Sequence, residues 1–314
     1  MPIAGIPRLV RPQPTLAERV ATLIQFSRPH TVIATSIQVL TLFLIANGLR
    51  HLNGPSILML MLTLVACLAA NIYVVGLNQL TDIAIDQVNK PTLPLAAGTL
   101  DVFTARWIVV GAGLFAGVLG FSGGPILLLV VSVVMLVGTI YSLPPRLKQH
   151  AGWAALCIAA TRGLLANVGI LLHYSIVLGE PLAYTTLLMV GLFFFGFGIV
   201  IAFYKDLPDL AGDQRHAIST LTVRLGPARV VALGRLLLTL CYGLPISVAL
   251  ASWPAPAAIL LLIGHLALIG IFWHTSLTVN LSQPASVIHL YMVLWRMFYA
   301  EFVLLSLYEI VRSI

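Results

Sequence analysis

Nine stretches of this 314-residue chain are apolar over a length that crosses a hydrocarbon layer: 30–48, 57–77, 104–121, 125–142, 153–174, 184–204, 228–250, 256–273 and 286–308. A helical crossing needs about 20 apolar residues, and no other feature limits the fold so strongly. Inside a bilayer the backbone finds no water, so each stretch must close its own hydrogen bonds as a helix. Turn-forming clusters separate the stretches, as at Asn53-Gly-Pro55, Gly123-Gly-Pro125 and Trp253-Pro-Ala-Pro256. Only 9% of residues are charged, against about 25% in a soluble domain. A soluble globule is excluded, and an all-α membrane protein with nine transmembrane helices is expected. Residues 1–29 read as an N-terminal segment outside the membrane and 30–314 as the membrane domain.

The net charge of +7 is scattered, with no basic stripe to track a nucleic acid. It follows topology instead. Arg8, Arg11, Arg19, Arg28, Lys90, Arg106, Arg146, Lys148, Lys205, Arg215, Arg224 and Arg229 share the side of the N-terminus; Arg50 and Arg312 fall on the other. Basic residues collect in cytoplasmic loops, so the N-terminus and the loops at 78–103 and 205–227 are expected in the cytoplasm. Cys67, Cys157 and Cys241 each lie in an apolar run without zinc-type spacing and read as packing residues. The first 25 residues are polar and Pro-rich, without the apolar core of a secretory leader, and Ser-poor for a transit peptide. A prokaryotic inner membrane, plasma or photosynthetic, is the expected location, and no obligate protein partner is implied.

Half of the ten acidic residues sit in two clusters, Asn78-Gln-Leu-Thr-Asp82-Ile-Ala-Ile-Asp86 and Asp206-Leu-Pro-Asp209-Leu-Ala-Gly-Asp213. Each follows an apolar run, after span 2 and again after span 6, which suggests a loose duplication. Asn71, Asn78, Asp82 and Asp86 are spaced 7, 4 and 4 apart and share one helical face. Asp206, Asp209 and Asp213, spaced 3 and 4, repeat the pattern, and Pro208 favours a short new helix beginning near Asp206. Carboxylates near a bilayer are costly unless something binds them, so this placement points to function. Hard oxygen ligands shared with phosphate suit magnesium, and two such ions would hold and neutralise a diphosphate. Arg28, Lys90, Arg146, Lys148 and Lys205, on the same side, would supply direct phosphate contacts. Apolar helices beneath suit an isoprenoid tail. Tyr73, Tyr141 and Tyr204, near the cytoplasmic ends of their spans, are candidates to face an allylic cation.

With these residues in view the chain resembles the UbiA superfamily of intramembrane aromatic prenyltransferases. Asn78-x3-Asp82-x3-Asp86 is similar to the first family motif and Asp206-x2-Asp209-x3-Asp213 to the second. Within the superfamily it most resembles the homogentisate prenyltransferases of tocopherol and plastoquinone synthesis. The segments Phe26-Ser-Arg-Pro-His-Thr31, Asn89-Lys-Pro-Thr-Leu-Pro-Leu-Ala-Ala-Gly98, Thr222-Val-Arg-Leu-Gly226 and Trp295-Arg-Met-Phe-Tyr-Ala-Glu301 carry that likeness. The resemblance implies nine helices around a central cavity. It implies magnesium, two ions, on Asp82, Asp86, Asp206, Asp209 and Asp213, with Asn78 orienting a prenyl diphosphate. Catalytic roles fall to Asp82, Asp86, Asp206, Asp209, Asn78 and Tyr141. Substrate contacts fall to Arg28, His30, Asn71, Lys90, Arg146, Lys148, Arg162, Tyr204 and Lys205. An acceptor anion would be met by Arg28, Arg162 or His30.

Two alternatives stay open: a family enzyme with another acceptor (4-hydroxybenzoate, dihydroxynaphthoate or chlorophyllide), or a secondary transporter. The transporter reading is weakened because the acids lie at span ends rather than near the midplane. Within the spans, Glu301 is expected to pair with Arg162, and His173 to lie at the outer interface.

Overall fold

The computed structural model of the protein describes residues 15–49, 52–215 and 218–313. Arg8, Arg11 and Arg50, which enter the charge asymmetry, and residues 1–14 of the expected N-terminal segment lie outside the described residues. A short helix α1 (Leu16–Phe26) precedes the first span, α2 (Pro29–Asn47). Then come α3 (Gly54–Thr81), the short α4 (Ile83–Asn89), α5 (Val102–Ser122) and α6 (Pro125–Ser142). Two spans follow, α7 (Gly152–Leu178) and α8 (Tyr184–Lys205). The short α9 (Leu210–Arg215) and α10 (Leu221–Leu225) lead to α11 (Pro227–Ala251), α12 (Pro256–Thr278) and α13 (Pro284–Ser313). Among the described residues, nine of these helices are long and apolar enough to cross a membrane, at the nine expected places. No strand occurs there; one isolated parallel bridge joins His150 to Ser219.

The helix ends follow from local chemistry. Spans α2, α3, α6, α11 and α12 carry Pro in the first turn, where a missing N–H costs nothing and the fixed φ is already helical. The Thr15 and Asn53 side chains cap α1 and α3 reciprocally, and Asp101 accepts the Thr104 N–H at the start of α5. Gly48 and Gly179 end α2 and α7 in left-handed conformations that a side chain would strain. Large apolar side chains such as Leu114, Phe121 and Leu240 face outward, where lipid and not water covers them.

The main core joins α2, α7, α8, α11, α12 and α13 around Phe194, which stacks on Phe302 at 4.1 Å between ring centroids. A second cluster holds α3, α5 and α6 together through Ala66, Ala116 and Leu127. The cavity opens between these two packed groups.

Several elements depart from regular helix near that cavity. The α3 helix runs on through Asn78 and breaks at Asp82 (φ −118°, ψ 15°), so the first acidic motif spans a bend and not one straight helix. The second motif also differs from expectation. Asp206 ends α8, Pro208 lies in the turn, and the new helix begins at Leu210. Both α7 (Ala159–Leu165) and α8 (Met189–Phe193) contain a π-helical stretch, a feature common near functional sites. The two helices meet closely there: a Cβ on Gly163 would lie 2.3 Å from the Phe194 carbonyl oxygen, so only glycine fits.

Two interior expectations are corrected. His173 is buried, with its Nε2 3.1 Å from the Thr63 hydroxyl, because α7 turns this residue toward α3 rather than toward lipid. Glu301 pairs not with Arg162 but with His265 of α12, at 3.0 Å. The long α13 is enclosed by neighbours, and its Glu301 position faces α11 and α12 instead of α7.

Candidate active site

The break at Asp82 and the turn at Pro208 bring two short helices, α4 and α9, against each other at one end of the bundle. Asn89 Oδ1 accepts the Gly212 N–H at 2.8 Å, and a Cβ at Gly212 would sit 2.1 Å from that same oxygen. This glycine seam closes the distance between the motifs. Below it lies a cavity of about 440 Å³, within the range of small-molecule sites. Asn78, Asp82 and Asp86 line it from one side, and Asp206, Asp209 and Asp213 from the other.

The five carboxylates are buried, and most are tied to basic side chains. Asp82 accepts from Arg146 at 2.8 Å and from Lys148 at 2.6 Å. Lys90 of the first loop reaches across the mouth to Asp209 at 2.5 Å. Lys205 holds Asp206 at 2.7 Å, and Arg28 stands 3.9 Å from Asp86. Arg28 is itself held at a positive φ of 54°, a strained geometry for a non-glycine residue, between α1 and α2. Asn78 donates to Asp82 at 3.0 Å, so it orients that carboxylate.

Burial dominates the electrostatics. It raises the Asp86 and Asp206 carboxyls above the usual range against the pull of Lys90 and Lys205 respectively. Burial, with repulsion from Asp206, lifts Asp213 to about 7. Burial also lowers the Lys148 ammonium to about 8, opposed by Asp82. Like charges gathered in a low-dielectric mouth are the conditions a bound cation relieves.

Among the described residues no three acidic, His or Cys side chains converge on one point as a ready metal cage. The reason is visible in the pairs: the carboxylates turn to Lys90, Lys148 and Lys205 instead of to each other. The donor set still fits magnesium. It is all oxygen, it comes from two facing sides, and it leaves room for phosphate oxygens between them.

Most of the remaining expected residues line the same cavity: Arg28, His30, Asn71, Lys90, Tyr141, Lys148, Arg162 and Lys205. Asn71 donates to Thr31 at 3.0 Å, which joins α2 to α3. Arg146 sits at the rim on Asp82. Tyr204 is a correction. It is fully buried in the main core, donates to the Val231 carbonyl at 2.8 Å and packs on Gly234. A rotation of one residue separates Lys205, which lines the cavity, from Tyr204, which faces α11. Tyr73 likewise faces α6, with its hydroxyl 2.8 Å from that of Thr139.

Tyr291 and Gln38 of the cavity wall carry no acidic spacing and escaped a motif-based reading, and Trp295 entered only as part of the likeness at 295–301. Gln38 donates to the Asn167 amide oxygen within the bundle. A lone Gln in an apolar run is the signal that would have found it, since polar groups at membrane depth are costly.

Comparison with known proteins gives the family and the fold. The sequence profile of the UbiA prenyltransferase family matches residues 38–300. The homogentisate phytyltransferase of Synechocystis is 38% identical over 293 residues, covering 90% of this chain and 94% of that one. The chloroplastic homogentisate solanesyltransferase of Arabidopsis thaliana is 37% identical over 290 residues, 89% of this chain and 74% of that one. A UbiA homologue from Archaeoglobus fulgidus, solved bound to GPP and Mg2+, shares the fold. Its TM-score is 0.64 at 16% identity, over 91% of this chain and 99% of that one.

Proposed function

The chain belongs to the UbiA prenyltransferase family and is a multi-pass membrane prenyltransferase, and we propose that it transfers a prenyl group from a prenyl diphosphate to homogentisate. The observation that carries the reading is the mouth of the cavity, where two carboxylate sets face each other beneath α4 and α9. The named relatives favour homogentisate over other acceptors.

Asp82 and Asp86, with Asp206, Asp209 and Asp213, would hold two magnesium ions. Bound there, magnesium supplies Lewis-acid neutralisation of the departing diphosphate. Lys90, Arg146, Lys148 and Lys205 exchange their carboxylate partners for phosphate oxygens, and Arg28 adds a further contact. Val130, Val134, Ile170 and Ile201 offer apolar wall for the prenyl tail. The C–O bond to the prenyl group breaks with both electrons leaving on diphosphate. The resulting allylic cation is shielded from water, with Tyr141 at the cavity wall. A ring carbon of the acceptor supplies the electron pair of the new C–C bond. The ring then loses its proton, and the benzylic carbon takes one up as carbon dioxide departs, giving a methylated prenyl-quinol. The reading places the N-terminus and the cavity mouth in the cytoplasm, with the acidic motifs at the loops 78–103 and 205–227.

The test uses purified protein with magnesium, labelled homogentisate and prenyl diphosphates from C10 to C45. Diphosphate release and product mass are followed together. Magnesium-dependent release with a prenylated, decarboxylated product is expected. Product with a different phenol or chlorin only would reassign the acceptor, and no diphosphate release with any pairing would overturn the reading.

A further inference from the structure

Within the cavity one cation stands apart from the acidic mouth. Arg162 lies in the π-helical stretch of α7. Its neighbour Gly163 is pressed against the α8 backbone, which turns Arg162 to the cavity wall. Lys90, Lys148 and Lys205 each hold a carboxylate at 2.5, 2.6 and 2.7 Å. Arg162 holds none among the described residues. Glu301, the acid expected to meet it, is engaged by His265 and Tyr242. The guanidinium instead lies over the Trp295 ring at 5.1 Å, and His30 meets the same ring at 5.3 Å in an edge contact.

A guanidinium at membrane depth without a counter-ion is costly, and its planar fork matches a carboxylate bidentately. Trp295 lines the same cavity beside it. A diphosphate has its own cations at the mouth, so the anion that Arg162 awaits is a different one.

We propose that Arg162 and Trp295 form the acceptor subsite, with Arg162 pairing the carboxylate of an aromatic acid and Trp295 bearing its ring. This rests on the aromatic-acid acceptor proposed above. The cavity is then divided by ligand: the paired carboxylates and cations of the mouth take the diphosphate, while Arg162 holds the carboxylate within the span. Arg162 therefore selects acids over neutral quinols of the same ring.

Equilibrium binding on the purified full chain tests this, using homogentisate, its methyl ester and magnesium geranylgeranyl diphosphate as probes. Arg162→Gln is expected to weaken homogentisate about 10- to 100-fold, the range of a charge-assisted hydrogen-bonded pair. Methyl ester and diphosphate binding stay unchanged, which also shows the variant is folded. Equal homogentisate affinity in both proteins, or a loss that falls on the diphosphate, overturns the proposal. Should the variant fail to fold, the unaltered protein decides: homogentisate bound no better than its methyl ester overturns it. An unaltered protein that binds no homogentisate removes the proposed acceptor and not the subsite. The comparison is then made with 4-hydroxybenzoate and its methyl ester, and absence of acid preference there overturns the subsite as well.

Discussion

His265 Nε2 lies 3.0 Å from Glu301 Oε2 in the bundle interior, with both side chains fully buried and neither on the cavity wall. Tyr242 donates to the other oxygen of the same carboxylate, and the His265 Nδ1 faces the Leu261 carbonyl at 2.7 Å. Three helices, α11, α12 and α13, thus meet around one buried carboxylate. Breaking a buried pair by removing one partner costs about 3–5 kcal/mol, because the other group is left buried and uncompensated. Glu301→Ala and His265→Ala should each lower thermal stability in detergent strongly. The double variant His265→Leu with Glu301→Leu should be more stable than the sum of the single losses, which a double-mutant cycle measures. Additive losses would remove the pairing.

Asp82→Asn and Asp206→Asn each keep the shape of the mouth and remove a charge from one of its two sides. Turnover should fall by about 10²–10³-fold or more in each, as for loss of a group aimed at transition-state charge. Membrane insertion and folding should be unaffected. Full activity in both variants would sink the metal–diphosphate reading.

Chelation of divalent ions should abolish diphosphate release, and added magnesium should restore it. In Lys90→Gln the bridge to Asp209 is lost. That variant should need a higher prenyl diphosphate concentration, with KM raised about 10-fold or more for a lost charged contact. A KM that does not move would assign Lys90 to holding the loop alone.

Tyr204→Phe removes one hydrogen bond, to the Val231 carbonyl, from a side chain that does not line the cavity. Stability should drop by about 1 kcal/mol with kcat unchanged. A selective loss of kcat would return Tyr204 to the site. Gly163→Ala offers the opposite case. Its new methyl meets the Phe194 backbone, which cannot swing aside, and overpacking of this kind costs about 1–3 kcal/mol.

How far the amino-acid sequence reveals this molecule depends on which force places each residue. The spans are legible because solvent alone decides them. The first acidic motif is legible because Asn78, Asp82 and Asp86 share a helical period, even though the chain bends at Asp82. Side-chain direction within a span is another matter. Tyr204, Tyr73 and His173 lie in runs apolar on every side, where no polar face marks which neighbour each will meet. Glu301 shows the same limit. Its partner is chosen by the packing of α12 against α13, and His265 carries no motif that would announce it.

The ion pairs of the mouth also bear on how the chain is made. The partners of Asp82 are Arg146 and Lys148, and that of Asp86 is Arg28, all from the first half of the chain. Asp206 is met by its own neighbour Lys205. Of these contacts, Lys90 to Asp209 alone joins the halves. Synthesis from the N-terminus therefore delivers to the membrane a first half whose carboxylates already have their countercharges. It can wait with Lys90 alone in excess until Asp209 emerges to take up that lysine.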